Sequence, residues 1–94
     1  MREAVRKIEK EELDRYRFVN YEVLDSETEI RQRQKLLEEA MLLGNGERQK
    51  VRLIIETTEG PVMVETTVWE TTDSHIELKG GRDIPICCIR EVII

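Results

Sequence analysis

"LKGGRDIPICCIREVII", residues 78–94, carries a double glycine flanked by Lys79 and Arg82 and then two adjacent cysteines, Cys87 and Cys88. The glycines fit either a phosphate cradle or a turn. A cradle needs glycines that lead into a helix N-terminus, where free N–H groups converge on the anion. The residues after Gly81 instead alternate through Asp83, Ile84, Pro85 and Ile86 in a strand pattern, so the stretch reads as a hairpin. Side-chain parity selects the loop length. A two-residue turn on Gly80 and Gly81 sets Leu78 opposite Asp83 and buries an aspartate. A three-residue loop of Gly80, Gly81 and Arg82 pairs Leu78 with Ile84 and Ile76 with Ile86, and faces Lys79 with Asp83. Adjacent cysteines on a strand leave by opposite faces, so one thiol fills the core and the other points outward. A disulfide between neighbours would strain the peptide between them, and joint metal chelation is awkward for the same reason.

Upstream of the glycines the period is also two. Val51, Leu53 and Ile55 alternate with Arg52, Ile54 and Glu56; beyond Gly60, Val62, Val64, Thr66 and Val68 alternate with Met63, Glu65, Thr67 and Trp69. Closing the turn on Glu59 and Gly60 pairs Ile55 with Val64, Leu53 with Thr66 and Val51 with Val68, all on one face. Ile84 and Ile86, then Ile89, Val92 and Ile94 mark two final short strands with a tight turn between them. The expected inward set includes Leu53, Val64, Leu78 and Ile86.

Before the strands, Ser26 with Glu29 forms a capping-box pattern. The helix it opens is expected to run to about Leu43, burying Leu36, Leu37, Ala40, Met41 and Leu43, with Gly44 taking the left-handed position after it. Glu27 with Arg31 and Glu29 with Arg33 are expected on its wet side. Residues 2–17 are charge-dense, with a weak helical stripe and the spaced pairs Glu3–Lys7 and Glu11–Arg15; residues 18–24 fit a short strand as well as a helix. The expected organisation is a single domain: a charged N-terminal extension over 1–25, a capped amphipathic helix over 26–44 and a five-stranded, strongly bent antiparallel small barrel over 48–94. The fold class is mainly β with an N-terminal helix (α+β).

Composition narrows the function. A chain of 94 residues holds one modest core. Residues 1–50 carry 11 Lys and Arg against 12 Asp and Glu, whereas residues 51–94 carry 4 against 8, so the barrel is acidic and disfavours nucleic acid. Two neighbouring cysteines give neither a disulfide framework nor a zinc spacing, and a reducing cytoplasm fits best. The N-terminus has no apolar signal region, and no run approaches a membrane span. No metal or cofactor is expected.

Chemistry-bearing residues are sparse. Glu65 and Glu70, five apart on a strand, emerge on opposite faces and cannot pair as acid and base; no catalytic residue is expected, and the chain reads as a non-enzyme. "DSH" at 73–75 names the members of a nucleophilic triad, but consecutive turn residues do not align in series. Trp69 faces away from the core stripe with Ile54, Met63 and Ile93, covered either by the helix or by a second subunit.

A helix, a long bent hairpin, a glycine hairpin and a tight terminal turn, in that order, resemble the Sm and LSm-like small-barrel superfamily (SH3-like barrels) across residues 27–94. Family members carry an Asp, any residue, an apolar residue and an Asn between the second and third strands; Asp73, Ser74, His75 and Ile76 stand there. They carry Ile, Arg and Gly before the last strand; Ile89 and Arg90 match and Glu91 replaces the glycine. The resemblance implies an oligomer assembled edge to edge, and hence a partner-binding, self-associating module open to a protein partner. Its alternative implication is single-stranded RNA binding at the rim, through Asp73, Ser74, His75 and Arg90.

Overall fold

The computed structural model describes residues 5–94. In chain order, β1 (Arg6–Ile8) leads through a 3₁₀ helix (Lys10–Arg15) and an irregular segment to α1 (Glu27–Glu47). Six strands come next: β2 (Val51–Thr57), β3 (Gly60–Thr66), β4 (Val68–Thr71), β5 (His75–Leu78), β6 (Arg82–Pro85) and β7 (Ile89–Ile93), with a second 3₁₀ turn (Ile86–Cys88) between the last two. They form two sheets, ordered β1-β3-β2-β7 and β4-β5-β6, neither closed as a barrel. The mainly β fold with one helix is as expected, and its strands number seven among the described residues.

The alternation of β2 and β3 places Val51, Leu53, Ile55, Val62 and Val64 inward. From the second sheet Ile76, Leu78 and Ile84 meet them, with Ile86, Cys88 and Ile89 at the corner between the sheets. Leu53, Val64 and Leu78 are buried, as strand parity requires; Ile86 is buried too, but from the 3₁₀ turn and not from a strand. Both hairpins, however, close two residues away from the expected register. In the first, Thr57 pairs with Gly60, Ile55 with Val62 and Leu53 with Val64. Thr57 Oγ1 donates to Gly60 O at 2.7 Å and accepts from Glu59 N–H at 3.1 Å, which puts the turn on Thr58 and Glu59 and leaves Gly60 after it at φ 104°. In the second, Leu78 pairs with Arg82 and Ile76 with Ile84, so the three-residue loop is Lys79, Gly80 and Gly81. Lys79 N–H donates to Thr67 O at 3.0 Å, drawing that residue out of the β5–β6 ladder, and both glycines take positive φ. A two-residue shift preserves faces, so the core is unchanged. The cysteines lie in a 3₁₀ turn and not on a strand. Cys88 is buried and Cys87 half-buried, the burial split anticipated for them but produced by a turn. Ile94, expected to mark the last strand, lies just past the end of β7 and is exposed.

The helix also differs. Ser26 Oγ accepts from Glu29 N–H at 3.1 Å, but the Glu29 carboxylate meets the Ser26 hydroxyl, not the backbone. Past Gly44 the helix continues to Glu47, and Arg48 takes the left-handed position at φ 56°. Gly44 serves packing instead: a Cβ there would collide with the Val68 carbonyl oxygen and lie 2.9 Å from Thr67 Cγ2, so only glycine lets α1 approach β4 this closely. Leu37 and Ala40 are buried as expected, with Leu36, Met41 and Leu43 partly so. Arg33, expected on the wet side beside Glu29, turns inward. Upstream, β1 runs parallel to β3, setting Ile8 beside Val64, and the 3₁₀ helix buries Leu13. These residues therefore line the core where a weak helical stripe is expected. The Glu3–Lys7 pair lies outside the described residues. Residues 17–19 occupy the edge of β2 beyond the end of β7, with Phe18 bridging to Thr57 and Val19 N–H donating to Glu56 O.

Candidate functional site

The residues expected at an RNA rim do not form one surface cluster through direct bonds. Asp73, Ser74 and His75 form the exposed β4–β5 turn, held by Thr72, whose Oγ1 accepts from His75 N–H at 3.0 Å. Ser74 Oγ lies 2.9 Å from His75 Nδ1, and Ser74 O accepts from Ile86 N–H, which ties the turn to the 3₁₀ corner. Arg90 belongs to the other sheet and is ion-paired with Glu56 on its outer face.

That outer face is where Ile54 and Met63 meet as cross-strand partners, both half-buried, with Glu91 beside Ile54. Ile93 is exposed opposite Arg52. Trp69 is elsewhere, on β4, so the four expected interface residues do not make one patch. Nor does α1 cover Ile54 and Met63; it packs on β4 and β7. Asn45 Nδ2 donates to the Trp69 carbonyl at 3.1 Å, gripping its main chain while the residue stays 42% exposed.

A groove of about 280 Å³ lies between the first half of α1 and β7, lined by Leu24, Leu36 and Val92 and also by Glu29, Arg90 and Glu91. Its floor is set by Arg33. Arg33 Nη1 donates to Glu22 Oε2 (2.7 Å) and to the Ile89 carbonyl (3.0 Å), and Nη2 donates to Glu22 Oε1 (2.6 Å). The forked guanidinium thus fastens helix, preceding loop and the start of β7 together. Its hydrogen bonds hold the Glu22 carboxyl below its ordinary range against the opposing effect of burial. Beyond Ile89, β7 has β2 on one side and no strand on the other. Such an edge beside a helix offers main-chain groups and an apolar slot together, the arrangement used for strand addition. The i,i+4 spacing on α1 drew attention to Glu29 and away from Glu22, and no sequence signal marked the groove.

Cys88 has no exposed surface, its Sγ donates to Pro85 O, and burial pushes the thiol up to about 12, with Cys87 adding to the effect; the arrangement suits packing and not nucleophilic chemistry. Among the described residues no cluster of His, Cys, Asp or Glu is placed to hold a metal, and no helix is long and apolar enough to cross a membrane. No family model, curated protein or solved structure matches the chain.

Proposed function

We propose that this protein is a non-catalytic, self-associating interaction module of the Sm-like small-barrel kind. The observation that carries the reading is that each sheet ends in open strand edges, among them β6, bonded only to β5, and β7, bonded only to β2. Strand edges left unpaired recruit another strand unless they are blunted. Two features support a barrel. Only Thr67 separates β3 from β4, as in one bent strand, and β6 passes into β7 through a single 3₁₀ turn. Residues 51–93 then act as five strands whose pairing runs β7-β2-β3 and β4-β5-β6. Charge pairs hold elements together, as Arg33 does with Glu22 and Arg82 with Asp14 at 2.7 Å, which favours a scaffold over a reaction centre.

In this reading β6 of one subunit adds to β7 of the next, and Pro85, at the last position of β6, limits the ladder to Arg82–Ile84. Sedimentation velocity over a wide concentration range tests it. The expected result is a mass that is a multiple of 11.1 kDa and that falls to monomer when Val92→Pro breaks the β7 edge while far-UV circular dichroism is retained. A monodisperse monomer at the highest concentration overturns it.

A further inference from the structure

In a chain of net charge −5, one hollow carries only cations. It measures about 280 Å³ and is lined by Gly44, Asn45, Arg48, Thr67, Trp69 and Lys79. Among the described residues neither Arg48 nor Lys79 has an ion-pair partner. The walls are tied to one another: Arg48 N–H donates to Gly44 O at 3.1 Å, Asn45 Nδ2 to Trp69 O at 3.1 Å, and Lys79 N–H to Thr67 O at 3.0 Å. The absent Cβ of Gly44 brings helix and strand together at its base. Arg48 is the one non-glycine among the described residues with positive φ, a conformation that glycine or asparagine adopts at lower cost. Attraction between an arginine and the helix C-terminus accounts for a cation at that end. It does not account for Lys79, which arrives from the β5–β6 loop, or for a tryptophan left 42% exposed between them. An adjoining hollow shares Thr67 and Lys79 and is lined also by Lys10 and Lys50 and by three glutamates, Glu9, Glu11 and Glu65. Glu65 faces Arg52 at 3.5 Å, and Lys10 Nζ donates to Lys79 O at 3.0 Å.

We propose that the Trp69 hollow binds a nucleotide unit, with the base stacked on the indole and the phosphate between Arg48 and Lys79. An aromatic face beside uncompensated cations is the combination that recognises a base and its phosphate without reading sequence. An acidic peptide would use the cations and not the indole. The site is separate from the β6 and β7 edges, so its failure leaves the assembly reading intact.

Trp69 is the single tryptophan, so its indole N–H resonance in a ¹H–¹⁵N spectrum reports the hollow directly. At low salt, uridine and adenosine monophosphates and short oligouridylate and oligoadenylate are added in turn. Saturable movement of that resonance is expected. Equal affinity for monophosphate and oligomer assigns a free nucleotide, and affinity that grows with length assigns a single strand. Arg48→Gln with Lys79→Gln should weaken binding roughly tenfold or more while the thermal midpoint holds. Trp69→Ala, followed by anisotropy of a labelled oligomer, should weaken it by a similar factor, as loss of one stacking platform does. An indole unmoved at millimolar nucleotide overturns the proposal. So does equal movement by inorganic phosphate or a glutamate-rich peptide, or movement that survives in the double variant.

Discussion

Arg33 is 5% exposed, and its charge is tolerated because Glu22 and the Ile89 carbonyl receive it; Nε alone has no partner. Removing one member of such a pair leaves the other buried and unmatched, which costs more than an exposed pair is worth. Glu22→Gln should therefore lower stability by about 2 kcal/mol in urea unfolding, with Glu22→Gln/Arg33→Met recovering part of the loss. The pH dependence has a definite sign. The Arg33 hydrogen bonds depress the folded-state value of Glu22 below its ordinary 4.5. Its contribution is thus complete above the unfolded value and lost as pH falls through the folded one. Urea midpoints should fall less steeply below pH 5 in Glu22→Gln than in the parent, and equal slopes would refute the pairing. Local spacing pointed to Glu29–Arg33, because a helix rule sees four residues ahead; Glu22 precedes the helix and reaches Arg33 only through tertiary packing. At Cys88, whose thiol is pushed up to about 12, thiolate at pH 8 is about one part in ten thousand. Brief iodoacetamide treatment should give one adduct, on Cys87, in the folded protein and two after denaturation, read by mass spectrometry.

The helix and the hairpins show what alternation reveals and what it leaves open. Facing was legible: a two-residue period sends Leu53, Val64, Ile76 and Leu78 inward whatever the turn. Register was not, since any shift by two satisfies the same pattern. It is selected by particular bonds, the Thr57 hydroxyl in one hairpin and the Lys79 N–H to Thr67 O in the other. The helix end was misplaced because Gly44 was weighed only as a terminator. A glycine at a crossing point leaves the same mark in sequence as one at a cap. Two substitutions separate the roles. Gly46 has open space around its missing Cβ, so Gly46→Ala should gain about 0.5–1 kcal/mol from helix propensity. Gly44→Ala gains the same propensity but must push α1 off β4, at a cost of about 3 kcal/mol. The crossing term wins, and a net loss near 2 kcal/mol is expected. Matched thermal melts decide it; equal effects at the two sites would remove the packing role of Gly44.

At the scale of the molecule, the charged N-terminal stretch belongs to the core and to its edges. Its charge density hid this, because Ile8, Leu13 and Val19 are too sparse to trace a helical face, and they need none: one comes from a strand, one from a 3₁₀ turn and one from the residue beside the Phe18–Thr57 bridge. Arg82 binds the segment from the far sheet, through Lys10 O at 2.8 Å and Asp14 at 2.7 Å. A chain beginning at Phe18 loses two buried aliphatic side chains, Ile8 and Leu13, worth about 3–6 kcal/mol by area, out of a total of order 5–15 kcal/mol for a domain. It also replaces the three-residue β1 by the seven-residue β3 as an outer strand, lengthening the unpaired edge that stands beside those of β4, β6 and β7. The truncated protein should lose its cooperative urea transition, and it should sediment as polydisperse aggregate where the full chain gives a discrete species. Were it instead to unfold within a few tenths of a molar of the full chain, residues 5–17 would be an appendage to a self-sufficient sheet pair, and β1 could not be what keeps the β3 edge out of assembly.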